Sequence, residues 1–105
     1  MTAPQVVRLA DFREFAADRH VAKLMHDSEK CRVVLFCLEA GQDLSPHEST
    51  SEVVFYGVEG KCQVLVGKDW LTLEPQTIVT CPPNLPHGLK ADTRTVVMAV
   101  ITPRP

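Results

Sequence analysis

The sequence predicts an all-β domain: a small sandwich or barrel of about eight or more short strands, preceded by a short N-terminal helix. Three observations carry this. Gly41, Pro46, Gly60, Gly67, Pro75, Pro82–Pro83, Pro86 and Gly88 punctuate the chain and cut it into pieces of five to nine residues. Between the cuts lie Val, Ile, Leu, Phe and Thr, side chains that suit a pleated, half-buried surface. Helical spacing of apolar residues occurs only near the N-terminus.

In chain order, Asp11-Phe12-Arg13-Glu14 reads as a capping box, Asp11 at the N-cap and Glu14 three residues on. Leu9, Phe12, Phe15 and Ala16 then line one face, so a helix is expected over 11–17. Arg19–Met25 reads as a strand. Residues 1–30 are therefore taken as an N-terminal arm with a helix and a strand, and 31–105 as the barrel, together forming one domain. Strands are expected over 32–39, 52–58, 61–66, 70–73, 77–81 and 93–102. The last contains Thr95-Val96-Val97-Met98-Ala99-Val100-Ile101, apolar on both faces, and should be a central strand covered on both sides. The tail Thr102-Pro103-Arg104-Pro105 cannot extend a sheet, because its two prolines lack amide donors.

Composition narrows the function classes. The chain has 105 residues, 45% hydrophobic and 23% charged, enough for one core and not for two. Eleven basic against thirteen acidic side chains leave a net charge of -2. That balance argues against a nucleic-acid or anionic-membrane partner, which calls for a basic excess. No apolar run approaches the ~20 residues of a membrane span. The first residues lack the pattern of a signal peptide, so a cytoplasmic location is expected. Cys31, Cys37, Cys62 and Cys81 form no C-x-x-C pair and read as buried thiols in a reducing compartment.

Four histidines are the candidates for chemistry. His20 and His26 stand among charged residues and read as solvated surface. His47 and His87 each follow a proline where a loop enters a strand, a place that holds functional side chains on a rigid scaffold. Strand parity puts His47, Ser49, Ser51, Val53, Phe55 and Gly57 on one face, and Glu48, Glu52, Val54, Tyr56 and Val58 on the other. The His47 face runs from polar to apolar, as at the open mouth of a small barrel, with Gly57 leaving room for a cavity. Cys62 alternates with Val64 and Val66 and should face the interior. The sequence holds no G-x-S-x-G elbow, P-loop or dinucleotide fingerprint. Trp70, the single tryptophan, reads as a sheet-packing or interface residue.

The stretch from Gly41 to Gly60 resembles the first cupin motif, G-x5-H-x-H-x3-E-x6-G. Pro82-Pro83-Asn84-Leu85-Pro86-His87 resembles the second, G-x5-P-x-G-x2-H-x3-N. The resemblance spans about Arg32 to Ile101. It implies a double-stranded β-helix, or jelly-roll barrel, commonly dimeric. A barrel this small with an added N-terminal arm is expected to form a homodimer, the arm pairing with the partner's sheet edge. The resemblance also implies a divalent metal (Zn, Ni, Mn or Fe) and oxygenase-type or isomerase-type chemistry. The family's ligands are two histidines and a glutamate from the first motif and one histidine from the second.

Only His47 and His87 stand at ligand positions in this chain. Ser49 occupies the second histidine position and Val53 the glutamate position. Gln76, Asn84 and Ala91 replace the second motif's two glycines and its asparagine. A neutral hydroxyl donates weakly and a valine not at all, so two imidazoles alone should hold a metal weakly. Glu52 would complete the set if a β-bulge turned it inward; a thiolate from Cys62 or Cys81 is another route.

Three functions follow as expectations. The first is a small-molecule-binding cupin with a weakly held metal at His47 and His87, its pocket lined by Ser49, Glu52, Val53, Phe55, Gly57 and Cys62. The second is a metal-free sensor or carrier in which neutral imidazoles contact an anionic or polar ligand. The third is an interaction module whose interior is closed by Val53, Phe55, Val64 and Val79.

Overall fold

The computed structural model describes residues 3–105. Nine strands are found among them: β1 (Val21–Asp27), β2 (Arg32–Leu38), β3 (Asp43–His47), β4 (Glu52–Glu59), β5 (Cys62–Val66), β6 (Asp69–Leu73), β7 (Ile78–Cys81), β8 (His87–Ala91) and β9 (Thr95–Thr102). They form a five-stranded sheet, β1-β2-β9-β4-β7, and a four-stranded sheet, β3-β8-β5-β6. Every pairing is antiparallel. The fold is the all-β double-stranded β-helix.

Between the sheets lies one core. Val53 and Phe55 from β4, Cys62 and Val64 from β5, Val79 and Cys81 from β7, Leu89 and Ala91 from β8, and Val97 and Ala99 from β9 are all buried there. Alternation explains the selection: Val53, Phe55 and Gly57 are buried while Glu52 is exposed and Val54 and Tyr56 are half-buried. The four residues expected to close the interior, Val53, Phe55, Val64 and Val79, do pack in this one cluster.

The two-faced β9 lies between β2 and β4. Its Val97 and Ala99 face the core, and its Val96 and Met98 join a second cluster with Met25, Leu35 and Cys37 on the outer face of the five-stranded sheet. The N-terminal arm covers that second cluster with Leu9, Phe12 and Phe15.

The arm does so without the expected helix. The only helical turn among its described residues is a three-residue 3-10 segment, Leu9–Asp11, with no side-chain cap. A seven-residue helix seldom repays the cost of nucleation, whereas an extended chain spreads three apolar side chains over more sheet. The residues of the expected capping box are committed elsewhere: Glu14 pairs with Lys23 at 3.3 Å and Arg13 with Glu59 at 2.7 Å. Phe15 lies between two guanidinium groups, Arg94 at 3.7 Å and Arg13 at 4.8 Å from its ring centroid. The strand expected over 19–25 forms two residues later, as β1.

Candidate functional site

The two strands that carry His47 and His87 are β3 and β8, neighbours in the four-stranded sheet, and His47 stands directly opposite His87. Their ring centroids are 4.2 Å apart in an edge-to-face arrangement. Residues far apart in the sequence thus meet at the rim of the barrel. His87 is only 4% exposed and its ring centroid lies 6.2 Å from that of Phe55, which floors the pair. His47 is exposed. The site has one buried and one open imidazole.

Each ring faces a nearby backbone carbonyl through Nδ1. His87 Nδ1 lies 3.4 Å from the Leu85 oxygen and His47 Nδ1 lies 3.5 Å from the Ser45 oxygen. A carbonyl can only accept, so each contact calls for a proton on Nδ1, and in a neutral ring that leaves the lone pair on Nε2. Burial pushes the His87 imidazole below its usual range, and the adjacent His47 adds to the effect, against the opposing influence of the Leu85 carbonyl. His87 is therefore held in its neutral form, with Nε2 as an acceptor.

The loops around the pair are tied by backbone bonds. Asn84 donates its N–H to the Ser49 carbonyl at 2.8 Å, joining the loop after β3 to the loop before β8. Gly67 donates to the Pro86 carbonyl at 2.8 Å, anchoring the entry to β8. Asn84 has φ 68° and Gln76 has φ 61°, both in the left-handed region. These are the two residues that stand where the second motif has glycine. The backbone keeps the conformation that glycine favours even though the glycines are gone.

The other expected site residues are only partly brought together. Ser49 lies in the loop between β3 and β4, where its hydroxyl accepts the Ser51 N–H at 3.1 Å and shapes a turn. Val53 and Phe55 belong to the packed core. Glu52 is exposed, and the β4 ladders are regular from Glu52 to Gly57, so no bulge turns it inward. Gly57 does not enlarge a cavity: the Glu74 backbone carbonyl occupies the space a side chain would take. Cys62 stands four residues along β5 from Val66, the residue opposite His87, which at ~3.3 Å per residue is roughly 13 Å from the pair. Burial pushes its thiol up to about 12, so it is no ready thiolate. Cys81 is fully buried opposite Val53, and burial raises its thiol as well. His20, read as solvated, is half-buried against Phe36 and its Nδ1 reaches the Asp43 carbonyl at 3.1 Å, tying the arm to β3. His26 is exposed.

A resident metal does not fit these residues. Among the described residues no three His, Cys, Asp or Glu side chains converge as a metal centre requires. Ser49 is engaged by its own loop, Val53 is buried hydrocarbon, and neither Glu52 nor a cysteine takes their place. Two imidazoles supply half of a tetrahedral set and no negative charge to offset the cation.

Fold and site together define a class: a single-domain double-stranded β-helix with a histidine pair at its rim and an incomplete ligand set. The cupin domain model matches residues 34–102, more than half of the chain, and the protein belongs to that family. Among solved structures, it is similar to an RmlC-like cupin protein from Desulfovibrio desulfuricans, at 26% identity and a TM-score of 0.90, over 98% of this chain and 100% of that one. It is similar to TT1209 from Thermus thermophilus, at 25% identity and a TM-score of 0.90, over 95% of this chain and 98% of that one. A conserved protein with a double-stranded β-helix domain from Klebsiella pneumoniae shares the fold at 13% identity, with a TM-score of 0.88 over 96% and 91% of the two chains. No curated protein sequence matches the chain.

Proposed function

We propose that this chain is a metal-free small-molecule-binding cupin, and that its ligand docks on the His47–His87 pair. One observation carries the reading: two imidazoles 4.2 Å apart, one buried and one open, meet at the rim while the remaining family ligand positions hold Ser49 and Val53. The neutral His87 accepts a hydrogen bond through Nε2, so the ligand presents a hydroxyl, amine or protonated acid to it. His47, open to solvent, contacts the ligand's outer polar groups. Because the core between the sheets is filled, the ligand lies on the rim above Phe55 instead of deep within the barrel.

The same reading takes the chain as a homodimer in a reducing, cytoplasmic setting. Its four cysteines are free thiols. β1 is an edge strand whose Leu24 is 50% exposed, beside an arm whose Val6 is 87% exposed. Among the described residues no helix is long and apolar enough to cross a membrane.

Chelator-treated protein, screened by thermal shift against small hydroxylated acids, sugars and amines, tests the function. A true ligand present at 100 times its Kd should stabilise the fold by ~2.7 kcal/mol. The His87→Ala variant should lose that gain. Tight, stoichiometric uptake of Zn, Ni, Mn or Fe by the stripped protein, with no metal-free ligand found, would overturn the reading in favour of a metal centre.

A further inference from the structure

We infer that Gly88 is a positioning residue for the histidine pair: its missing side chain lets a bulge in β3 close onto β8, and the bulge sets His47 against His87. The inference rests on the pair being the binding site, but its test does not need the ligand.

The bulge is read from the register. Leu44 pairs with Leu89 and His47 pairs with His87, so β3 advances three residues while β8 advances two. The extra residue lies in Ser45–Pro46. In a regular ladder Pro46 would stand opposite His87, and His47, one residue further on, would point to the other face. The inserted residue returns His47 to the face of Leu44, which packs on the core. A bulge is thus what turns the second imidazole onto the face of His87. Pro46 suits this place, since β3 is an edge strand and a bulge needs no ladder donor from it.

A bulged backbone crowds its partner strand. A Cβ on Gly88 would lie 2.8 Å from the Leu44 carbonyl oxygen and 3.3 Å from both the nitrogen and the Cα of Pro46. All three atoms are main chain, so no rotamer change relieves the contact. Gly88 is not in the left-handed region, so its backbone tolerates a side chain and only the space is lacking. On its other side it pairs with Leu65 of β5, in the interior of the sheet. An alanine therefore displaces β3, whose only strand partner among the described residues is β8, and not β8 itself. His47, at the end of β3, moves with it.

The experiment is NMR of the full chain with labelled histidine rings, comparing wild type with Gly88→Ala. The wild type should show a ring-to-ring cross-peak between His47 and His87. In Gly88→Ala it should lose more than half its intensity, while amide signals of β4, β5 and β9 stay in place. Gly41→Ala serves as the control for mere destabilisation. That position has φ +86° and nothing within 4 Å of an added Cβ, so it strains the backbone without touching the pair and should keep the cross-peak. An undiminished cross-peak in folded Gly88→Ala overturns the inference. If Gly88→Ala does not fold, the same substitution in a chain lacking Ser45 decides. Without the extra residue Leu44, Pro46 and His47 pair regularly with Leu89, Gly88 and His87, and the bulge that crowds position 88 is gone. The double variant should then fold and keep the cross-peak; a double variant that does not fold where the Ser45 deletion alone does overturns the inference. Failure to find any small-molecule ligand would sink the proposed function and leave this result standing; an unchanged cross-peak beside proven ligand binding would do the reverse.

Discussion

The outer face of the five-stranded sheet and the rim of the four-stranded sheet are held by different means. Under the arm, Leu9, Phe12 and Phe15 lie on Met25, Leu35, Cys37 and Val96, and the Arg13–Glu59 ion pair ties the arm to the end of β4. Such a contact depends on area and is tolerant of detail. At the rim little apolar area is at stake. An edge strand, one inserted residue, a glycine and two backbone bonds between loops set the positions of two imidazoles. Apolar contact dominates the first surface and the proposed binding site occupies the second, so they should respond to different perturbations.

The sharpest way to break that separation is through Phe55, which serves both the core and the site. It is 1% exposed and floors His87. Phe55→Ala should cost about 3–5 kcal/mol in urea unfolding and loosen the histidine pair at the same time. A loss below about 1 kcal/mol would show that the ring is not packed as described.

Removing Phe15 should act on the arm alone. The substitution Phe15→Ala discards a half-buried ring and its stacking with Arg94, and should cost about 1–2 kcal/mol. Ligand affinity at the rim should be unchanged, because the two sites share no partners. A parallel drop in affinity would show that the arm and the rim are coupled.

The smallest effect is the pH dependence carried by His87. Its folded-state value is depressed below the ordinary 6.5, so near and below that pH the unfolded chain binds the proton more readily than the native one. The stability associated with neutral His87 is therefore present above about pH 6.5 and declines as pH falls through the depressed value. Unfolding free energies measured from about pH 7.5 to about pH 5 should show this slope in the wild type, and His87→Gln should flatten it. An equal slope in both would assign the titration elsewhere.

Much of the architecture was legible in local pattern. The alternation of β4 and β5, the turns at Gly60 and Gly67, and the two-sided apolar run of β9 all appear in the structure within a residue or two. The strands that local pattern does not announce, β3 and β8, are the ones bearing the histidines. Asp43–His47 holds a proline and two polar residues besides its histidine, and His87–Ala91 holds a glycine and a lysine. Neither carries the β-branched run that marks a strand, because one is an edge and the other faces a bulge. The helix failed for a related reason: spacing of Leu9, Phe12 and Phe15 identified the side chains that pack on the sheet but not the backbone that delivers them.

By itself the sequence determined the all-β class, the buried alternation and the candidacy of His47 and His87, since period-two patterning and turn chemistry are local properties of the chain. Only the tertiary structure decided that the two rings meet, that Glu52, Cys62 and Gly57 do not join them, and that an N-terminal arm covers a second apolar face. Those outcomes depend on register across strands distant in sequence. One inserted residue between Leu44 and His47 reverses which face a side chain takes, and no local signal announces it.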